Sequence, residues 1–239
     1  MVKPIFARDF FRGPCLSGNA ARTFRLHLAY ALLDATAGGI LLNAPLIAIK
    51  SFQAANWHLP LREIYSGLGM LLALYLGSRM ASRRKMPFIF IPGVAAAVSS
   101  MAMATATGSA FWFLTLLGVG ALFEIVTRPA ITAVLRLNYP VEQRGHATGE
   151  VRKWSSLCFV ASSVTAAVVL HLASQRVGNA GEVAAAGWAS EVLRWSAEHM
   201  AQVLMVLAGF LSLASFVCFR QIHVEETIGS EPADRRLEI

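Results

Sequence analysis

The chain has 239 residues, of which 56% are apolar and 15% charged, against roughly 45–50% and about 25% in soluble domains. Lysine and arginine outnumber aspartate and glutamate by 21 to 14, a net charge of +7. Even so, recurring apolar runs of about 20 residues, each long enough to cross a hydrocarbon core, exclude a soluble, basic nucleic-acid binder. Cys15, Cys158 and Cys218 have no paired spacing and no histidine cluster beside them. Neither a disulfide framework nor a metal site is expected, and no cofactor.

In chain order, residues 1–25 form a polar, basic N-terminal segment. The first apolar run after it contains Asp34 and is followed by no small-x-small cleavage site, so it is expected to stay in the mature protein. Phe6, Phe10 and Phe11, mixed with Arg8 and Arg12, suit either a weak membrane-surface anchor or a disordered arm. Hydropathy then places spans at about 26–49, 60–80, 86–107, 110–135, 154–173 and 200–220. All six are predicted to be helices, because in hydrocarbon every backbone N–H and C=O needs an internal partner and the runs are too continuously apolar for barrel strands. The expected architecture is an all-α, polytopic membrane domain over residues 26–222, built as two three-helix units, with a polar tail from 223 to 239.

Between the fifth and sixth spans, Trp188, Val192 and Trp195 share one helical face and Glu191, Arg194 and Glu198 another. Two readings stand for residues 174–199: a helix lying on the membrane surface, or an early start of the sixth span.

Orientation follows from the basic residues. With a cytoplasmic N-terminus, the inside segments hold Lys3, Arg8, Arg12, Arg22, Arg25, Arg79, Arg83, Arg84, Lys85, Arg136, Arg144, Arg152, Lys153, Arg220, Arg235 and Arg236, whereas Lys50, Arg62, Arg176 and Arg194 fall outside. This positive-inside bias predicts a cell-membrane protein with both termini in the cytoplasm.

An ionisable residue inside a span is costly and marks a cavity or a partner. Asp34 lies in the first span, and Glu124 and Arg128 lie in the fourth, while the third span carries no charge and the sixth only Arg220 at its inner end. Spans one and four are therefore expected to face water or solute, and three and six to act as packing support. Asp34 and Arg128 each sit about 12 Å from the inner ends of their spans, which predicts an Asp–Arg pair. Glu124, four residues before Arg128, is placed to share the guanidinium. Two readings are open: a lining for an anionic or proton-coupled solute, or a static triad that fixes packing. Asn43 and Pro45 are expected to kink the first span or open a carbonyl there, and Pro129 to bend the fourth beside its charges.

Gly67, Gly69, Gly118, Gly120 and the small residues from Ala161 to Ala167 suit close helix approach. Trp57, Trp112 and Trp154 fall at expected span ends, as in aromatic belts. His171 is expected at the outer interface, and His146 in an inner loop.

Two stretches carry a family resemblance. Residues Gly77 to Lys85 look like the loop signature between helices two and three of the major facilitator superfamily, a glycine, an Asp–Arg pair, a second glycine and a basic cluster. Here Ala81 and Arg84 replace the Asp and the second Gly. Asn138-Tyr139-Pro140 and Arg144 to Gly149 are similar to the loop after helix four, and Arg128 resembles an arginine often found in helix four. The resemblance spans about residues 22–222 and implies the N-terminal half of a transporter, with helices one and four lining a cavity and Gly77, Arg83, Arg84 and Lys85 forming a gating loop.

Transporters of this kind usually have twelve helices, with substrate held between two halves. The chain is accordingly expected to move a small solute, possibly anionic, by alternating access after pairing with itself or with a separate six-helix half. Asp34, Glu124, Arg128 and Asn43 are the candidate path residues. The alternative is a non-transporting accessory or scaffold protein, or a truncated transporter fragment. An enzyme is not expected, because His171 has no serine partner and no carboxylate cluster suits a metal.

Overall fold

The computed structural model describes residues 16–80, 83–106, 108–179 and 187–223. Seven α-helices run through them: α1 (Gly18–Leu41), α2 (Ala44–Phe52), α3 (Leu61–Met80), α4 (Met86–Ala102), α5 (Ala110–Asn138), α6 (Val141–Asn179) and α7 (Gly187–Arg220). No strand occurs among the described residues. Five segments are long and apolar enough to cross a membrane: Gly18–Lys50, Met86–Thr105, Ala110–Asn138, Val141–Ala173 and His199–Arg220. The all-α, membrane-type fold read from hydropathy is thus present.

The stretch expected as the second span, 60–80, does form a helix, α3, but is not among the five. Arg62 and Glu63 occupy its first turn and Arg79 its last, with Tyr65, Ser66, Gly67, Gly69, Tyr75, Gly77 and Ser78 between them.

Local chemistry sets the helix limits. The first span is broken rather than continuous. The turn at Leu42–Asn43 separates α1 from α2, and Pro45 opens α2, where its missing N–H costs no hydrogen bond. Gln53 closes α2 in the left-handed region, φ 50°. Ser109 caps α5 by accepting from the Trp112 N–H at 3.3 Å.

After α5, Pro140 turns the chain directly into α6. This helix therefore begins at Val141, about three turns before the expected span start near 154, and His146 lies in it rather than in a loop. Trp154 likewise sits within α6, with the Lys153 ammonium 5.5 Å from its ring centroid. The last helix, α7, runs unbroken from Gly187 to Arg220, so residues 187–199 lead directly into the apolar stretch His199–Arg220 as an early start rather than a separate surface helix. The proposed arm around Phe6, Phe10 and Phe11 and the tail from 224 lie outside the described residues.

Packing joins helices that are distant in the chain. The helix α1 packs on α6 and α7, α5 packs on α3 and α4, and α4 joins α7 across the back of the bundle. Missing side chains permit these approaches. A Cβ on Gly39 would run into the Phe159 carbonyl and the Ser162 hydroxyl of α6, and one on Gly69 would lie 2.9 Å from the Leu122 carbonyl of α5.

Two apolar clusters bracket the bundle. One, around Ile47, Met103, Phe113, Leu114 and Met205, lies toward the distal end of α1. The other, around Tyr30, Ile89, Val134, Phe216 and Phe219, lies toward its proximal end. There the Tyr139 hydroxyl and His27 Nδ1 share a buried hydrogen bond of 3.1 Å that ties the α5–α6 junction to α1.

Candidate functional site

Between the two clusters the bundle holds a cavity of about 700 Å³, within the range of about 300–1,000 Å³ typical of small-ligand sites. Its position follows from the packing, because α1 and α5 make few contacts with each other and each is braced from its far side. Along α5 the wall is Leu117, Gly120, Ala121, Glu124, Ile125 and Arg128, a spacing that repeats with the helical turn and so marks one face. Asp34, Gly38 and Leu41 form the corresponding stripe on α1, and Arg152, Ser155, Ser156 and Phe159 that on α6. The back helices contribute only small residues: Ala96 and Ser100 from α4, and Ser212 from α7. The lining is therefore not confined to the first and fourth spans expected from the charges: α6 and the start of α3 contribute to it as well.

Asp34, Glu124 and Arg128 therefore share one cavity, but the expected Asp–Arg pair does not form. Arg128 Nη2 donates to Glu124 Oε1 at 2.7 Å, one helical turn away, and their side chains are 68% and 44% exposed. The i, i+4 partner on the same helix is already in reach, whereas Asp34 stands on the opposite wall. The Asp34 carboxylate has no hydrogen-bond or ion-pair partner among the described residues.

Asn43 is not part of the wall. Its amide donates to the Gly39 carbonyl at 3.3 Å and the Ser163 carbonyl at 3.2 Å. These bonds commit it to holding the α1–α2 break against α6 rather than to a solute. The basic stretch after α3 does not line the cavity either. Gly77 lies in the last turn of α3 with open space around it, and Arg83, Arg84 and Lys85 lie in the link to α4. Ala81 and Ser82 lie outside the described residues.

Two arginines of the wall escaped the sequence reading. Hydropathy alone puts Arg152 in an inner segment, because the charges at Glu150, Arg152 and Lys153 lower it locally. The signal that places it in a helix is Pro140 at the start of α6 with Glu142 in the first turn. Arg62, from the first turn of α3, reaches the cavity from the distal end, with Glu63 at 3.7 Å.

Among the described residues no group of histidine, cysteine, aspartate and glutamate is placed to hold a metal ion. The proximal junction is stiffened by Arg144, whose Nη2 donates to the Arg136 carbonyl at 2.7 Å. Burial pushes the Tyr139 hydroxyl above its ordinary value, so it stays protonated at neutral pH.

No protein-family model, no curated protein and no solved structure matches the chain.

Proposed function

We propose that the chain is half of a secondary transporter that moves a small solute across the cell membrane by alternating access, with α3 as a sixth span and both termini in the cytoplasm. One observation carries this reading: a cavity lined by Asp34, Glu124, Arg128 and Arg152 in the middle of an otherwise apolar bundle. A packing triad would bring its charges together and exclude water. Here the ion pair is exposed to a space large enough for a solute, and Asp34 is left without a partner. The six-helix pattern and the resemblance to the major facilitator superfamily support it further, with helices one and four at the cavity and three and six behind it.

A transporting assembly needs a second bundle against which this one rocks. The exposed apolar stripes on α3 and α6 suit such a partner, a second copy or a separate six-helix half. The departures at Ala81 and Arg84 favour the other reading, an accessory or scaffold membrane protein without transport. The experiment that separates them is uptake by cells or liposomes carrying the protein. Arg128→Ala and Asp34→Asn should abolish solute uptake while the protein still inserts and purifies normally. Variants that lower only protein level or assembly, with uptake per molecule unchanged, would leave the scaffold reading standing.

A further inference from the structure

The charges of the cavity do not cancel among themselves in a uniform way. Five ionisable side chains line it: Asp34, Arg62, Glu124, Arg128 and Arg152. Arg128 is held by Glu124 at 2.7 Å, and Arg62 lies 3.7 Å from Glu63. The two that remain, Asp34 and Arg152, have opposite signs, and neither has a hydrogen-bond or ion-pair partner among the described residues. A carboxylate and a guanidinium that face one cavity without partners among the described residues call for a ligand carrying both complementary charges.

Their relative height follows from the α1–α6 contact. These two helices run parallel. Gly39 abuts Phe159 and Ser162, Ala44 and Ala48 share a cluster with Ala166, and His27 meets Tyr139 just ahead of α6. Counting back five residues from Gly39 sets Asp34 level with about Ser156, so Arg152 lies one turn, about 6 Å, nearer the proximal end. Between them lie Ser155, whose hydroxyl donates to the Arg152 carbonyl at 3.0 Å, and Ser156, which is exposed. The Glu124–Arg128 pair, a local dipole of no net charge, closes the facing wall.

From this geometry we infer that the solute is a small zwitterion of the amino-acid class, its ammonium held by Asp34 and its carboxylate by Arg152, with Ser156 beside both. This deepens the transport reading and rests on it only for the consequence of binding. Charge-assisted hydrogen bonds at both ends give such a ligand two strong anchors. A plain carboxylate leaves Asp34 unpaired in the occupied cavity, and a plain amine leaves Arg152 unpaired, and each mismatch leaves a desolvated charge without compensation.

The test is equilibrium binding to the full chain in lipid nanodiscs, together with any subunit that copurifies. The probes are L-alanine, L-serine and L-leucine, each set against the carboxylate and the amine that lack the other charge. At least one amino acid should bind at least about tenfold more tightly than both of its analogues. Asp34→Asn and Arg152→Gln should each weaken it by about tenfold or more, while Asp34→Glu and Arg152→Lys retain measurable binding. In Asp34→Asn the amino acid should lose its advantage over the carboxylate analogue.

Equal or tighter binding of an analogue to the wild type overturns the inference. So does unchanged affinity in both neutral variants, or no binding of any amino acid. If Asp34→Asn fails to fold, the preference measured on the wild type and on Arg152→Gln decides the matter. Counterflow in liposomes keeps the two readings apart. Amino-acid binding without flux sinks transport alone, and flux of an anion or amine without amino-acid binding sinks the zwitterion alone.

Discussion

Glu124 and Arg128 form the tightest ion pair of the cavity, yet both side chains are substantially exposed, and exposed i, i+4 pairs contribute little to stability, typically under about 1 kcal/mol. The pair should therefore matter more for solute than for folding. Glu124→Gln is expected to change unfolding free energy by less than about 1 kcal/mol and to reduce uptake severely. Thermal unfolding in detergent and uptake on the same preparation check this, and a strongly destabilised variant with normal uptake would make the pair a packing device. Tyr139 presents the opposite case. It is 2% exposed and its hydroxyl shares the buried bond with His27, so Tyr139→Phe leaves a buried imidazole nitrogen without its partner, a loss of about 1–3 kcal/mol. The melting temperature should fall without loss of solute binding, because neither residue lines the cavity. The charges of Asp34, Glu124 and Arg128 were legible from the sequence because a charge in an apolar run stands out on hydropathy alone. Their pairing was not, since depth along two helices leaves open which carboxylate reaches the guanidinium, and that depends on how α1 and α5 are rotated.

At the scale of the elements, the α1–α6 contact holds one wall of the cavity in place, and it depends on Gly39. A valine there would collide with the Phe159 carbonyl, a backbone atom that cannot move aside as a side-chain tip would. Gly39→Val should cost at least about 1–3 kcal/mol through overpacking and open the wall around Asp34. Gly67→Ala, where the added methyl meets open space, should be neutral or stabilising by up to about 1 kcal/mol through helix propensity. Comparing unfolding of the two variants separates close approach from generic glycine effects. The sequence made the small residues visible without saying which of them touch: Gly69 carries a contact and Gly67 none, while Gly39, the tightest approach to α6, does not stand out in its apolar run. Helix existence was read well for the same reason that hydropathy works, the obligation to satisfy backbone groups internally. Helix limits were read less well where charge and helicity disagree. The Glu150–Lys153 pair, at 2.6 Å, is compatible with helix yet interrupts an apolar window, so the first three turns of α6 looked like a loop and Arg152 was missed. Asn43 shows the other limit: a polar residue stands out in an apolar run, but the run does not reveal that its amide bridges the Gly39 and Ser163 carbonyls at a helix break.

For the molecule as a whole, the packing scheme leaves one side unfinished. The flanking helices α3 and α6 do not pack on one another. Each exposes an apolar stripe, Ile64, Leu68, Leu71 and Tyr75 on α3, and Leu157, Val160, Val164 and Val168 on α6, at the spacing of a single helical face. Lipid suits either stripe alone. Val160, however, also belongs to the cavity wall, so the α6 stripe borders the cavity, which lipid alone would have to seal. A second bundle, as proposed above, would seal it with protein and turn the one-sided cavity into an enclosed site between two halves, the arrangement that alternating access requires. Gently extracted protein should accordingly have the native mass of two bundles, either two copies or this chain with another of similar span number. Val164→Lys places a charge at the middle of the α6 stripe and should convert the pair to single chains while leaving the fold of each intact, as judged by helical content and thermal unfolding. A wild-type protein that leaves the membrane as a monomer, with Val164→Lys behaving identically, would mean that the stripe faces lipid and that the cavity works, if at all, in a single bundle.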